Sequence, residues 1–231
     1  MILSRAGCVH PRDMNVAPCV ETNDRARNDA VGEEVRAPAK GAATRDVVLD
    51  AAVQIAGRIG LSGLTIGMLA SATGMSKSGL FAHFGSKETL QLQVLARARD
   101  EFTDRVVRPA LRAPRGEQRV RTLFEHWLAV GQDPGAPCLF ASAGMEFDDQ
   151  IGVVRDQVVR DHTDFAESVQ QMFRTGISEG DFRPDADDAQ FEHDLMGIML
   201  GLFHAYRLLG DPRAEDRARV AFERLLADVK A

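Results

Sequence analysis

Residues 74–88 read GMSKSGLFAHFGSKE, and this short stretch decides the fold. Leu80 and Phe84 are four residues apart, which is the spacing of one face of a helix. Ser76 is a suitable N-cap for that helix, and Ser86, after Gly85, is a suitable N-cap for the next. The pattern predicts a short helix that is entered through a sharp turn and followed at once by another helix.

Two further helices are predicted upstream of this stretch. The first begins at Thr44, whose hydroxyl is expected to act as N-cap, and ends at Gly60 in a left-handed conformation. The second begins at Thr65 and ends at Gly74. Three short helices with a sharp turn before the third form a helix-turn-helix, which places its last helix in the major groove of DNA. We therefore expect a DNA-binding domain over residues 44–90.

The side of the third helix opposite Leu80 carries small residues. Ser78, Gly79 and Ala82 would let the helix axis come close to base edges, whereas long side chains would hold it away. Phe81 is expected to be exposed there, where an aromatic ring can contact a thymine methyl group. This side is the predicted reading surface.

The charge distribution agrees with DNA binding in only one part of the chain. The whole protein carries a net charge of −6. Residues 1–43 are neutral, residues 44–87 carry +2, and residues 88–231 carry −8. The positive block coincides with the helix-turn-helix, so the acidic remainder is expected to face away from DNA.

The rest of the chain predicts an all-α fold of about nine helices. Residues 91–231 contain apolar residues at helical spacing and no alternating strand pattern, so we expect a helical bundle, which the family resemblance described below implies is a ligand-binding and dimerisation domain. Residues 1–43 have three prolines and little apolar periodicity, which predicts a flexible arm. Two readings of this arm stay open: it contacts DNA, or it is inert or a start-site artefact, with Met14 as an alternative initiator.

Several classes of protein are disfavoured. The longest apolar run, residues 195–203, has nine residues, against roughly 20 for a membrane span. The three cysteines have neither disulfide nor zinc spacing, and no catalytic motif appears, so we expect no metal, no cofactor and no enzyme. The absence of an apolar signal core favours a cytoplasmic, nucleoid-associated protein.

Residues 64–88 resemble the DNA-binding domain of TetR/AcrR-type transcriptional regulators. Members of that family show a threonine opening the second helix, a serine or threonine followed by a basic residue opening the third, then Leu-Tyr-x-His-Phe and Ser-Lys-Glu. This chain matches nearly every position, with Phe81 in place of the usual tyrosine. The resemblance implies a homodimeric regulator that binds a palindromic double-stranded DNA operator and responds to a small-molecule effector.

The resemblance also implies roles for particular residues. Thr65, His83 and Lys87 fall where the family contacts phosphates, and Thr44 and Arg45 are a looser match to a phosphate contact. Each of these has a plainer reading as a cap, a surface charge or a packed histidine. The full set of predicted DNA-binding residues is Thr44, Arg45, Thr65, Ser76, Lys77, Ser78, Gly79, Phe81, His83 and Lys87.

Aromatic and thioether side chains in the predicted bundle suit an apolar small molecule. Residues at this spacing also serve simply as core, and both readings stay open. The predicted ligand-binding residues are Phe124, Trp127, Phe140, Met145, Phe165, Met172 and Phe173.

The last two helices carry two apolar stripes, and the resemblance implies that these form a four-helix interface between subunits. The alternative is that both stripes face their own core. The predicted interface residues are Phe191, Leu195, Ile198, Leu202, Leu209, Phe222, Leu225 and Leu226.

The favoured function is a repressor that an apolar ligand releases from its operator. Ligand binding would move the helix after Ser86 and change the distance between the two recognition helices. A helical interaction module, or a transcriptional activator without a small-molecule effector, is the alternative.

Overall fold

Helices account for nearly all of the described structure. The computed structural model describes residues 40–133 and 138–231, with side chains from residue 44 onward. Of the predicted arm, residues 1–39 lie outside the described residues. Cys8 and Cys19 belong to this part. The α-helices in the described ranges are α1 (Lys40–Ile59), α2 (Ile66–Thr73), α3 (Lys77–Phe84), α4 (Lys87–Phe102), α5 (Arg108–Arg112), α6 (Glu117–Gly131), α7 (Leu139–Glu146), α8 (Val153–Glu179), α9 (Asp188–Phe203) and α10 (Ala214–Val229).

Two of these helices continue through π-helical turns. Thr103–Val107 joins α4 to α5 without a break, and His204–Leu208 extends α9. Counted this way, the described residues form nine continuous helical runs, and an isolated bridge between Phe182 and Lys230 is their only β pairing. The predicted all-α fold is confirmed.

The start of α1 differs from the prediction. Thr44 was expected to be the N-cap, but α1 begins four residues earlier, at Lys40. Ala42 and Ala43 favour helix extension, and side-chain capping by Thr44 contributes only about 1 kcal/mol, so the helix continues upstream. The end of α1 is as predicted, since Gly60 follows Ile59 with φ of 84°.

Pro109 lies inside the helical run that begins after Ser86 and does not end it. A proline removes one backbone donor and crowds the carbonyl four residues earlier, here that of Arg105. The π-helical turn shifts the hydrogen-bond register, with the Arg108 N–H donating to the Thr103 carbonyl. His126 Nδ1 then donates to the Arg105 carbonyl at 3.0 Å. The helix therefore continues to Arg112.

Helix α4 belongs to two packed cores. Its first half contributes Leu90 and Val94 to a cluster that also contains Leu80 and Phe84 of α3, together with side chains from α1, α2, α7 and α8. Its end contributes Phe102 to a second cluster, built by α6, α8, α9 and α10. The predicted domain boundary at residue 90 thus falls inside a single continuous helix.

The helices lack the features of a membrane span or a metal centre. Within the described ranges, none combines the length and the apolar character that crossing a bilayer requires. The same residues contain no cluster of three or more His, Cys, Asp or Glu side chains placed to hold a metal ion.

Candidate nucleic-acid interface

Local capping sets the geometry of the helix-turn-helix. Thr65 Oγ1 accepts the N–H of Met68 at 3.2 Å and so caps α2, which ends at Gly74 with φ of 69°. Ser76 Oγ accepts the N–H of Gly79 at 3.1 Å and caps α3. The left-handed glycine lets the chain reverse within the three residues that separate the helices. These caps are as predicted.

The two sides of α3 differ sharply in exposure. Leu80 and Phe84 are 0% and 2% exposed and hold the helix against α1, α2 and α4. Ser78 and Ala82 are exposed on the other side, and Phe81 is 60% exposed. In the described part of the chain, nothing covers the predicted reading surface.

The start of α2 and the start of α3 lie side by side. A Cβ placed on Gly67 would lie 3.7 Å from Lys77 Cε and 3.9 Å from both Lys77 Nζ and Thr65 Oγ1. The unpaired N–H groups at a helix start attract anions, and the ammonium of Lys77 adds a full positive charge beside them. Lys77 has no ion-pair partner among the described residues. This corner suits a phosphate group.

Lys87 has a structural contact besides its predicted one. Its Nζ donates to the Ser62 carbonyl at 2.7 Å, which ties α4 to the turn between α1 and α2. An ammonium group has three donors, so two remain for a phosphate oxygen. Lys87 is exposed, and its charge is not neutralised by any described carboxylate.

Three of the other predicted DNA contacts, Thr44, Arg45 and His83, are partly buried or held by contacts within the chain. Arg45 Nε donates to Gln93 Oε1 at 3.1 Å, and its guanidinium lies 6.0 Å from the centre of the Phe84 ring, so α4 sets its position. Thr44 is partly buried within α1. His83 is also partly buried, at the end of α3.

Sequence reasoning missed a clamp on the turn between α1 and α2. Glu146, at the end of α7, accepts the Leu61 N–H at 2.7 Å and the Ser62 N–H at 2.6 Å. Gln91, only 6% exposed, donates from Nε2 to the Leu61 carbonyl at 3.1 Å. These partners are 30 to 85 residues away in sequence, so no local pattern marks them. We call Glu146 and its two backbone partners the Glu146 clamp.

Six of the seven predicted ligand residues are packed core. Phe140 stacks between Phe102 and His162, with ring centroids 4.5 Å apart in each pair. Trp127 meets Phe165 edge-on at 5.0 Å, and its Nε1 is buried with no hydrogen-bond partner among the residues that the structure describes. Their exposures range from 0% to 6%, and this set comprises Phe124, Trp127, Phe140, Phe165, Met172 and Phe173. Met145 differs, with an exposure of 66%.

His126, His162 and Cys138 lie near these aromatic residues, and their contacts indicate structural roles. His126 satisfies the carbonyl freed by Pro109, and His162 Nε2 hydrogen-bonds the Phe140 carbonyl at 3.0 Å. Burial lowers the pKa of His162 and raises the pKa of the Cys138 thiol to about 11. Cys138 is therefore a protonated thiol at neutral pH and a poor nucleophile.

Two protein-family models match this chain, one over the helix-turn-helix and one over the C-terminal helices. Residues 48–94 match the model of bacterial regulatory proteins of the tetR family, and residues 116–222 match the tetracyclin repressor-like C-terminal domain. The chain belongs to the TetR family of transcriptional regulators. Members of this family are DNA-binding regulators rather than enzymes. A search of curated protein sequences found no match.

Solved TetR-family structures share the fold over most of the chain. A regulator from Chloroflexus aurantiacus has a TM-score of 0.72 and 24% identity, covering 81% of this chain and 94% of that one. AibR, solved with isovaleryl coenzyme A and operator DNA, has a TM-score of 0.66 and 18% identity, with coverages of 79% and 98%. A regulator from Saccharomonospora viridis, solved with choline, has a TM-score of 0.70 and 21% identity, with coverages of 83% and 100%.

The predicted dimer residues of this TetR-family chain divide into two groups. Ile198 and Leu225 are partly exposed, and Leu209 is 65% exposed. The others are at most 2% exposed within their own chain, where Phe222 stacks on Phe124 at 4.0 Å. These five buried residues are Phe191, Leu195, Leu202, Phe222 and Leu226.

Proposed function

We propose that this protein is a repressor that binds operator DNA through α3 and is released by a small apolar molecule. The observation that supports this best is the exposed small-residue side of α3, with the Lys77 ammonium beside the start of α2. The DNA-binding domain comprises residues 44–90 and the regulatory domain residues 91–231.

The proposed DNA contacts fall into two groups. Ser78, Gly79 and Phe81 meet base edges, since α3 can enter the major groove only with this side forward. Phosphates are bound around them by hydroxyl, imidazole and ammonium donors, which position the helix without reading sequence. This second group comprises Thr44, Arg45, Thr65, Ser76, Lys77, His83 and Lys87.

Lysine-to-alanine changes test this surface. Lys77→Ala should weaken binding to the DNA upstream of the protein's own gene by roughly tenfold or more, because each subunit loses a charged hydrogen bond. It should also reduce the slope of log affinity against log salt concentration by about two. Each phosphate contact contributes about one to this slope, and a dimer loses one contact per subunit. Lys87→Ala should act similarly. A mobility-shift titration at several salt concentrations measures both quantities.

Arg112→Ala is the matched control for this experiment. Arg112 is exposed and lies at the far end of the helical run that begins at Lys87, so its removal should leave DNA affinity unchanged. If neither lysine change affects DNA binding while the fold is intact by circular dichroism, the proposed surface is wrong.

A two-fold dimer would present two copies of α3 to the two halves of a palindrome. The outward faces of α9 and α10 form a groove lined by Gly197, Ile198, Ala221 and Leu225, among others. A Cβ added to Gly197 or Gly201 would meet nothing within 4 Å, so a partner helix can approach α9 closely. The five predicted interface residues that are buried would pack beneath this face, within their own subunit.

The aromatic core supplies the proposed effector site. Within the described part of the chain, Trp127 Nε1 is a buried donor without a hydrogen-bond partner, and such groups are rare because leaving one unpaired costs about 1–3 kcal/mol. A ligand with an apolar body and one acceptor atom would satisfy it, and its binding would require this closed core to open.

Native mass spectrometry of the purified protein tests both the dimer and the effector. We expect twice the chain mass of 25.2 kDa, plus a retained small molecule that Trp127→Phe loses more readily, since phenylalanine keeps a smaller aromatic ring but lacks the indole N–H donor. The Arg112→Ala variant should retain the molecule as the wild type does. A monomer mass, or retention unaffected by Trp127→Phe, would contradict the respective part of the proposal.

A further inference from the structure

A cleft opens where the end of α1 meets α7 and the end of α9. Its volume is about 620 Å³, which is ample for a small molecule. Helix α1 contributes Arg58 and Ile59, α7 contributes Met145 and Glu146, and the π-helical turn after α9 contributes Arg207. Trp127 does not line the cleft, although Cys138 and Phe203 of its lining pack against the aromatic core.

One wall of the cleft is apolar and partly in contact with water. Ile59 is 45% exposed, Met145 is 66% exposed and Leu200 is 37% exposed. Ile59 shares the spacing of buried residues on α1, yet its side chain reaches the cleft rather than the core. Large apolar side chains gathered at one concave site favour an apolar ligand body.

The charged groups of the cleft favour an anion. Arg58 and Arg207 are exposed and make no ion pair or hydrogen bond with any described residue, and His204 lies beside them. Among the described residues that line the cleft, Glu146 is the only acidic group, and both of its oxygens already accept backbone N–H groups of the α1–α2 turn. Two unpaired guanidinium groups therefore remain to bind a carboxylate or a sulfonate, which they recognise through paired N–H donors.

Two other open clefts do not combine these properties. The cleft between α5, α6 and α8 mixes the acidic Asp164 and Glu167 with two arginines, one of which, Arg174, is paired with Asp188. The groove on α9 and α10 is the face assigned above to a second subunit.

The cleft also adjoins the joint between the two domains. A Cβ added to Gly60 would lie 2.8 Å from Glu146 Oε1, so the ends of α1 and α7 are in direct contact. Gln150 Nε2 donates to the Glu146 carbonyl at 2.7 Å and reinforces that end. A molecule in the cleft would touch Arg58 and Ile59 on one side and the Glu146 clamp on the other.

We propose that this cleft is a second ligand site, which binds an amphipathic anion with an apolar body and one acidic group. Occupancy shifts α7 relative to α1 through the Glu146 clamp and so changes the orientation of α3. The ligand site stands on the geometry of the cleft alone, whereas its effect on DNA rests on the proposed function.

Anilinonaphthalene sulfonate, a fluorescent amphipathic anion, is a suitable probe for the folded full-length protein. We expect saturable fluorescence enhancement, with displacement by decanoate at concentrations about tenfold lower than by the uncharged decanol. Arg58→Gln and Arg207→Gln should each weaken probe affinity by about tenfold, because each removes one charged partner. Arg112→Gln, an exposed arginine outside the cleft, should bind the probe as the wild type does.

Wild-type affinity in both Arg58→Gln and Arg207→Gln would overturn the site, as would equal displacement by decanoate and decanol. Thermal melts of each variant separate loss of the site from loss of the fold. The effect on DNA is measured separately, by adding decanoate to a preformed DNA complex, where a change in affinity that is absent in Arg58→Gln is expected. Failure to bind DNA without any probe would overturn the proposed function but leave the probe result standing.

Discussion

Ala82→Glu should abolish operator binding while leaving the fold intact. Ala82 is exposed on the small-residue side of α3, so a glutamate there adds bulk and a negative charge where base edges and phosphates would lie. Because a dimer carries the change twice, we expect affinity to fall by at least a hundredfold, about 2.7 kcal/mol. Fluorescence anisotropy with labelled upstream DNA measures this loss.

Two matched variants make the result specific. Ala129→Glu introduces the same side chain at an exposed position on α6, remote from the helix-turn-helix, and should bind DNA as the wild type does. Ala82→Lys keeps the added length but reverses the charge, and should recover part of the non-specific affinity and lose base selectivity. Full operator affinity in Ala82→Glu would show that this side of α3 does not face DNA.

Phe173→Ala should cause a far larger loss of stability than the same change at the exposed Met145. Phe173 is fully buried and stacks on Phe182 at 4.6 Å and on Phe191 at 4.3 Å. Removing a buried phenylalanine leaves a cavity and lowers the free energy of unfolding by about 3–5 kcal/mol. Urea denaturation followed by circular dichroism measures this change.

Met145→Ala is the control from the same predicted set. Met145 is 66% exposed, so its removal should change the free energy of unfolding by no more than about 0.5 kcal/mol. If Phe173→Ala were as stable as Met145→Ala, the aromatic cluster would be loosely packed in solution, and the reading of Phe173 as core would be wrong.

The features that the sequence predicted well are local. Thr65, Ser76 and Ser86 each cap the helix that follows, and Gly60 and Gly74 end helices in the left-handed conformation, because these effects depend on only a few neighbouring residues. The family resemblance of residues 64–88 rests on the same short segment, and the family is confirmed.

The features that the sequence did not predict depend on contacts between distant segments. Pro109 is tolerated inside a helical run because His126, on another helix, satisfies the carbonyl that it frees. The Glu146 clamp joins residues about 85 positions apart. Apolar periodicity shows that Phe165 and Leu195 face inward, but it cannot tell a ligand, a partner subunit and the protein's own core apart.

Helix α4 can act as a lever between the two cores that it joins. Its 16 residues span about 24 Å, so a tilt of roughly 5° about its Phe102 end displaces its Lys87 end by ~2 Å. The π-helical turn after Phe102 lies at the pivot, where one surplus residue loosens the regular ladder of backbone bonds. On the proposed function, a ligand-induced shift near Trp127 would thereby be magnified at the opposite tip, beside the segment that carries α3.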